Sequence, residues 1–194
     1  MKNINKNISY YCVLFITLLS SSGCTTLDGP PNPDDPYESF NRTMFAFNES
    51  ADRYAIKPVA QGYDFIMPSI ASKGVSNFFS NIDDVTVTIN ALLQGKFLQS
   101  AQDGWRFLIN STVGVAGLFD VASHLGLPKH HEDFGQTLGK WGVAEGPFVV
   151  LPFLGPATLR STTGRVGDWA VDPLTYVSPD WASYSLVGGE FVEQ

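Results

Sequence analysis

Charge is scarce in this chain. Only 16% of its 194 residues are Asp, Glu, Lys or Arg, where ordinary soluble domains carry roughly 25%. Basic residues are the rarer sign, twelve against nineteen acidic, for a net charge of −7. The basic footprint of a nucleic-acid binder is therefore missing. Cysteine occurs only twice, too seldom for the disulfide framework that holds small secreted domains. No apolar run reaches the ~20 residues that a transmembrane helix requires. What is present is apolar, 44% hydrophobic and 13% aromatic residues. That suits one domain with a real core, and excludes disordered, collagen-like and coiled-coil chains.

The N-terminus accounts for part of the bias. Lys2 and Lys6 precede an uncharged stretch from Tyr10 to Leu19, then small residues Ser20 to Gly23 and Cys24. A basic start, a short apolar segment and small residues at a cleavage point read as a secretory signal. The small residues before Cys24 resemble the lipobox of bacterial lipoproteins, although Ser21 stands where Leu is usual. The alternative is an ordinary signal with an incidental cysteine. The resemblance implies acylation of Cys24, and Thr25, in place of the Asp that retains such proteins at the inner membrane, implies outer-membrane sorting. Cleavage after Gly23 would remove two basic residues and no acidic ones, moving the net charge to −9. It would also leave Cys24 as the single cysteine. The expected organisation is a lipoprotein signal peptide at 1–23, a lipidated N-terminus and tether at 24–37, and a helical domain at 38–194. Residues 25–37 hold four Pro, one Gly and three Asp, the composition of a solvated linker.

From Glu38 the pattern is helical. Phe40, Met44, Phe47, Ala51 and Tyr54 recur at spacings of three and four, a stripe on one helix face, and Pro58 predicts its end. Ser69 or Ser72 would cap the next helix, with Val75, Phe78, Phe79 and Ile82 as its stripe. After Asp83-Asp84 a further stripe runs Val85, Ile89, Leu92 and Leu93 towards a terminator at Gly95, and Ala101, Trp105, Leu108 and Ile109 continue the period. No sustained alternation marks a strand. The fold class expected is mostly α. Residues 146–156 break the rhythm: an apolar run cut by Pro147, Pro152 and Pro156 cannot be one helix. Such a loop lies buried in protein or at an interface.

Motifs that carry chemistry fail one by one. His130-His131-Glu132-Asp133 is a dense cluster of ligand types, but adjacent loop histidines rarely converge on one ion and no cysteine pair supports them. Gly135 and Gly139-Lys140 have three residues between the glycines, and Trp141 follows the lysine, so a phosphate loop is excluded. No Gly-x-Ser-x-Gly elbow occurs. Asp83-Asp84, as helix neighbours, should point apart. No enzyme activity, metal or cofactor is expected.

Several co-linear blocks resemble the MlaA (VacJ) family of lipoproteins. They are Asp35 to Asn48 with Lys57-Pro-Val-Ala60, Asn90 to Gly95, Arg106 to Thr112 with Gly117 to Asp120, Glu132 to Gly142, and Gly146 to Pro156. The resemblance runs from the lipoprotein signal to about Tyr176. It implies amphipathic helices arranged as a ring-like single domain in the periplasmic leaflet of the outer membrane, with a Pro/Gly-rich apolar loop. It further implies a component of an intermembrane phospholipid transport system that maintains lipid asymmetry. Misplaced phospholipids would pass from the outer leaflet through an amphipathic channel to an MlaC-like periplasmic carrier. A trimeric outer-membrane porin is the other implied partner, and phospholipid the transported ligand. Asn41, Arg42 and Asn48 are candidates for the polar channel lining, with helix capping or a solvated face as the alternative for each. Gly139, Gly142 and Gly146 are candidate hinges of the apolar loop. Phe148, Val149, Leu151, Phe153 and Leu154 are its candidate membrane- or porin-facing residues. Family members usually continue past the position where this chain stops, so either a helical C-terminal segment is missing or the family's tail is absent here. The alternative function is a structural envelope lipoprotein that moves no lipid.

Overall fold

The computed structural model describes Asn32 and residues 35–177. The signal peptide, Cys24, Trp181 and Tyr184 lie outside the described residues. The order is α1 (Glu38–Ala51), a π-helical turn (Asp52–Ile56), α2 (Lys57–Ile66), α3 (Ser69–Leu93), α4 (Phe97–Thr112), α5 (Val121–His124) and α6 (Phe134–Lys140). A hairpin of β1 (Phe148–Leu151) and β2 (Gly155–Thr158) follows, then α7 (Leu159–Val171) and a 3₁₀ turn (Pro173–Tyr176). The mostly helical reading holds. Two compact units divide the chain: the part up to Ala51 with Pro147–Ala157, and Asp52–Gly146 with the segment from Thr158 onward.

Three local expectations need correction. Pro58 ends no helix: it stands in the first turn of α2, which runs on to Ile66. The preceding turn is π-helical, and the wider loop relieves the clash of a proline ring with the carbonyl four residues back. The stripes on either side of Asp83-Asp84 belong to one helix of 25 residues. Charge in mid-helix does not break a helix; it only has to find a partner. The apolar run at 146–156 contains a hairpin. Its β1 reads Phe-Val-Val-Leu, a continuous apolar string with no alternation to betray a strand.

Within the first unit the hairpin is held by α1. Asn41 donates to the Phe148 carbonyl at 3.3 Å and accepts from Val150 N–H at 2.8 Å. Asn48 donates to the Leu151 carbonyl at 2.9 Å and accepts from Phe153 N–H at 2.7 Å. Each amide thus takes the part of an edge-strand peptide. Seven residues of helix advance about 10 Å, and the three-residue step from Phe148 to Leu151 advances about 10 Å along β1, so both amides meet the strand carbonyls in register. Phe153 has φ +65, costly for a side chain of that size. Its ring meets Phe47 edge to face at 5.1 Å, which with Asn48 fixes the turn.

In the second unit α3 packs along α4, and α6 crosses α7. The α6–α7 crossing depends on glycine: a Cβ on Gly164 would stand 2.3 Å from the Gly135 backbone nitrogen, and one on Gly167 would stand 2.4 Å from the Phe134 ring. Gly164→Ala is expected to destabilise the fold by about 1–3 kcal/mol through overpacking. Gly62→Ala, with no atom near the new methyl, should leave stability equal or higher by up to about 1 kcal/mol. Thermal melting of both variants in detergent checks the pair, and equal melting points would refute the close crossing.

Candidate functional site

The two long helices carry their polar residues at core spacing. On α3, Asn81, Asp84 and Asn90 are buried, with Gln94 buried at its C-cap; on α4, Ser100, Asp103, Arg106 and Asn110 are buried. Steps of three and four put the α4 set on a single face, whereas the step of six from Asp84 to Asn90 spreads the α3 set over about half of the helix circumference. Arg106 is 2% exposed. Its Nε lies 3.4 Å from Asp84, a charge contact short of hydrogen-bond geometry, while its terminal nitrogens reach Asp120 at 3.2 Å and Ser123 at 2.9 Å. Lys129 donates to Asp83 at 2.8 Å, Asp84 at 2.7 Å and the Ser80 carbonyl at 2.8 Å. Asp83 and Asp84 therefore do not act apart: one long ammonium side chain spans the turn between them. Further along, Asn90 donates to Asp168 at 2.8 Å, and Thr137 joins Asn90 and Gln94.

Burial sets the titration of this interior. It pushes the Asp84 carboxyl up, and Lys129 and Arg106 offset only part of that. Burial also raises Asp168 against the Phe134 N–H and the Asn90 amide. Asp120 goes the other way. Burial raises it, but the Ser123 hydroxyl and N–H, the Asn110 amide and Arg106 together outweigh that and hold it at about 2. Its stabilising contribution is therefore complete above the ordinary 3.8 and is lost as pH falls towards about 2.

The outside is apolar. Phe65 and Ile66 on α2 are 91% and 79% exposed. On α4 Phe97, Leu98, Trp105 and Leu108 are exposed, opposite the buried Asp103 and Arg106. This amphipathic helix is turned the reverse way from one on a water-soluble domain. Polar burial is expensive unless paired, and exposed apolar area of this kind marks an interaction surface.

The residues singled out in sequence have divided fates. Asn41 is buried and Asn48 half-buried, both engaged with the hairpin. Arg42 is exposed and pairs with Glu38 at 2.8 Å, one turn back. Gly139 lies within α6, where a Cβ would meet the Arg160 guanidinium at 3.1 Å. Gly142 and Gly146 have φ +91 and +73, so both occupy the region that favours glycine. Phe148 and Phe153 are exposed, whereas Val149, Leu151 and Leu154 are half-buried around the buried Val150. The His130–Asp133 cluster disperses. His130 binds Asp103 at 2.7 Å, Glu132 takes Lys96 and Gln99, and Asp133 caps α6 through Gln136 N–H. Among the described residues no three His, Cys, Asp or Glu are grouped to hold a metal ion.

Arg106, Lys129, Asp84 and Asp103 were missed as candidates, although the spacing of the three helical ones opposite the apolar stripes was visible; Lys129, in the loop before α6, carried no such signal. Such residues are ordinarily assigned to a solvated face.

Exposed apolar side chains around a charged, hydrogen-bonded interior define a class: a helical protein with an extensive apolar interaction surface. No helix among the described residues is long and apolar enough to cross a membrane. The comparisons give the family. The model of the MlaA lipoprotein family matches residues 33–194, and the chain belongs to that family. An uncharacterized protein of Rickettsia felis is 43% identical over 143 residues, 73% of this chain and 57% of its own length. The intermembrane phospholipid transport system lipoprotein MlaA of Escherichia coli K12 is 39% identical over 149 residues, 74% of this chain and 59% of its own. The chain spans less than two thirds of the length of these curated relatives. A solved structure described as the structural basis for maintenance of bacterial outer membrane lipid asymmetry superposes with a TM-score of 0.72 at 37% identity, covering 82% of this chain and 81% of that one.

Proposed function

We propose that this chain is the outer-membrane lipoprotein of an intermembrane phospholipid transport system, removing phospholipids that stray into the outer leaflet. The observation that carries the reading is the inversion on α4, with Trp105 and Leu108 outside and Asp103 and Arg106 sealed within. A water-exposed brace has no use for it, whereas a body resting in one leaflet gains about 25 cal/mol for each Å² of that apolar surface kept from water. In this reading Cys24 carries the acyl chains, and the protein lies in the periplasmic leaflet beside a trimeric porin. It hands phospholipid to a soluble MlaC-like carrier through an amphipathic path. Gly142 and Gly146 serve as pivots of the apolar loop, and Phe148 and Phe153 face lipid or porin. Asn41 and Asn48 line the path only if the hairpin releases them.

Outer-leaflet phospholipid exposure in cells lacking the gene tests the proposal. Exposure should rise on deletion, return with the wild-type gene, and stay high with Cys24→Ala. Unchanged exposure on deletion would favour the structural lipoprotein that moves no lipid.

A further inference from the structure

Where the start of α3 faces the turn before α5, the second unit has an open groove of about 440 Å³. Ligand sites commonly fall between roughly 300 and 1,000 Å³. One wall is the first two turns of α3, with Ile70, Lys73 and Gly74 on one face; the other runs from Leu118 through Phe119 and Val121 to His124. The walls are mostly apolar, and Gly74 contributes no side chain to fill the space between them.

Charge decides what fits. Asp120 is the groove's carboxylate, and it is already engaged by Arg106, Asn110 and Ser123. Lys73, exposed on the groove wall, has no hydrogen bond or ion pair among the described residues. The Asp120 carbonyl can only accept, so His124 Nδ1 donates to it at 2.9 Å, which leaves Nε2 to accept from a hydroxyl of the ligand head. A surplus ammonium beside an imidazole nitrogen, set in apolar walls, matches an anionic head joined to hydrocarbon. A free inorganic anion would have no use for Leu118, Phe119 and Val121, and a neutral lipid none for Lys73.

We infer that this groove is a binding site for a glycerophospholipid, with Lys73 receiving the phosphate, His124 Nε2 accepting from a headgroup hydroxyl, and the Ile70, Leu118 and Phe119 side chains covering the start of the acyl chains. The inference rests on the transport reading for its biological meaning, but its test is a binding measurement that stands without it.

The full lipidated chain in a sugar-headed detergent is titrated with dihexanoyl phosphatidylglycerol, followed by the phosphorus NMR signal of the probe. Binding should saturate. Lys73→Gln, at an exposed position, should weaken it about tenfold, the worth of one charge-assisted hydrogen bond. Gly74→Leu should weaken it at least as far by filling the groove; the nearest atoms to a Cβ there are 3.8 Å away, so the fold has room for the start of the new side chain. Equal melting points for both variants and wild type accompany the titration. Inorganic phosphate should not bind at the same concentration, and dihexanoylglycerol should fail to compete. Unchanged affinity in Lys73→Gln, or equal binding of inorganic phosphate, overturns the assignment. If Lys73→Gln binds like wild type and also restores lipid asymmetry in cells, the groove assignment falls and the transport reading stands. If deletion of the gene leaves asymmetry intact while the titration behaves as expected, the transport reading falls and the site remains.

Discussion

Arg106→Met should cost the fold about 3–5 kcal/mol, the usual penalty for removing one partner from a buried ionic group. For a chain of this size that corresponds to a fall in Tm of about 6–20 °C. Methionine fills much of the volume, so the loss would not come from a cavity. It comes from Asp84 and Asp120, which lose their guanidinium contacts, and from Ser123 and the Leu127 carbonyl, which lose a donor. Asp84 is fully buried and would keep Lys129 alone. Arg106→Lys should fall between wild type and Arg106→Met, because an ammonium restores the charge without the planar fork that reaches several acceptors together. Thermal melting in detergent micelles reads both. A Met variant that melts within about 2 °C of wild type would show that the α3–α4 seam is held by something other than this network.

The helices were legible in the sequence because their period is: the stripes from Ala101 to Ile109 and from Val75 to Ile82 both fall within helices. Which side of a stripe meets solvent was not legible from period alone. A moment has a direction but no label for water, and only low overall charge hinted that Trp105 faces out and Arg106 faces in. Asn41 and Asn48 were visible as polar residues two turns apart, yet their partners lie more than a hundred residues away, beyond any local signal. Pro58 misled for a related reason. The rule that a proline ends a helix assumes a regular register, and the π-helical turn removes the clash behind that rule. Gly135 was weighed against a phosphate loop, when its use is to let the α7 backbone at Gly164 approach. The fold class and family blocks could be read directly; the sidedness, the clamp and the crossing are tertiary facts.

Sidedness also makes the second large prediction. Phe65→Lys with Ile66→Lys places two ammonium groups on the most exposed apolar turn of α2. In water such surface changes move stability by no more than about 0.5 kcal/mol each, and the melting point in detergent should stay near that of wild type. Against a bilayer each lysine costs up to about 3 kcal/mol at depth, less where it can reach the interface. The pair should therefore weaken membrane partition by a hundredfold or more. The measurement is flotation with phospholipid vesicles, in a Cys24→Ser background so that no acyl anchor masks the surface. The parent should rise with the vesicles, and the double lysine variant should stay in the dense fraction with its fold intact. If both rise equally, α2 does not rest in lipid, and the exposed apolar side chains of Phe65 and Ile66 belong to a protein interface instead. In that case the same variant should lose a protein partner in detergent extracts of the outer membrane while keeping its lipid affinity.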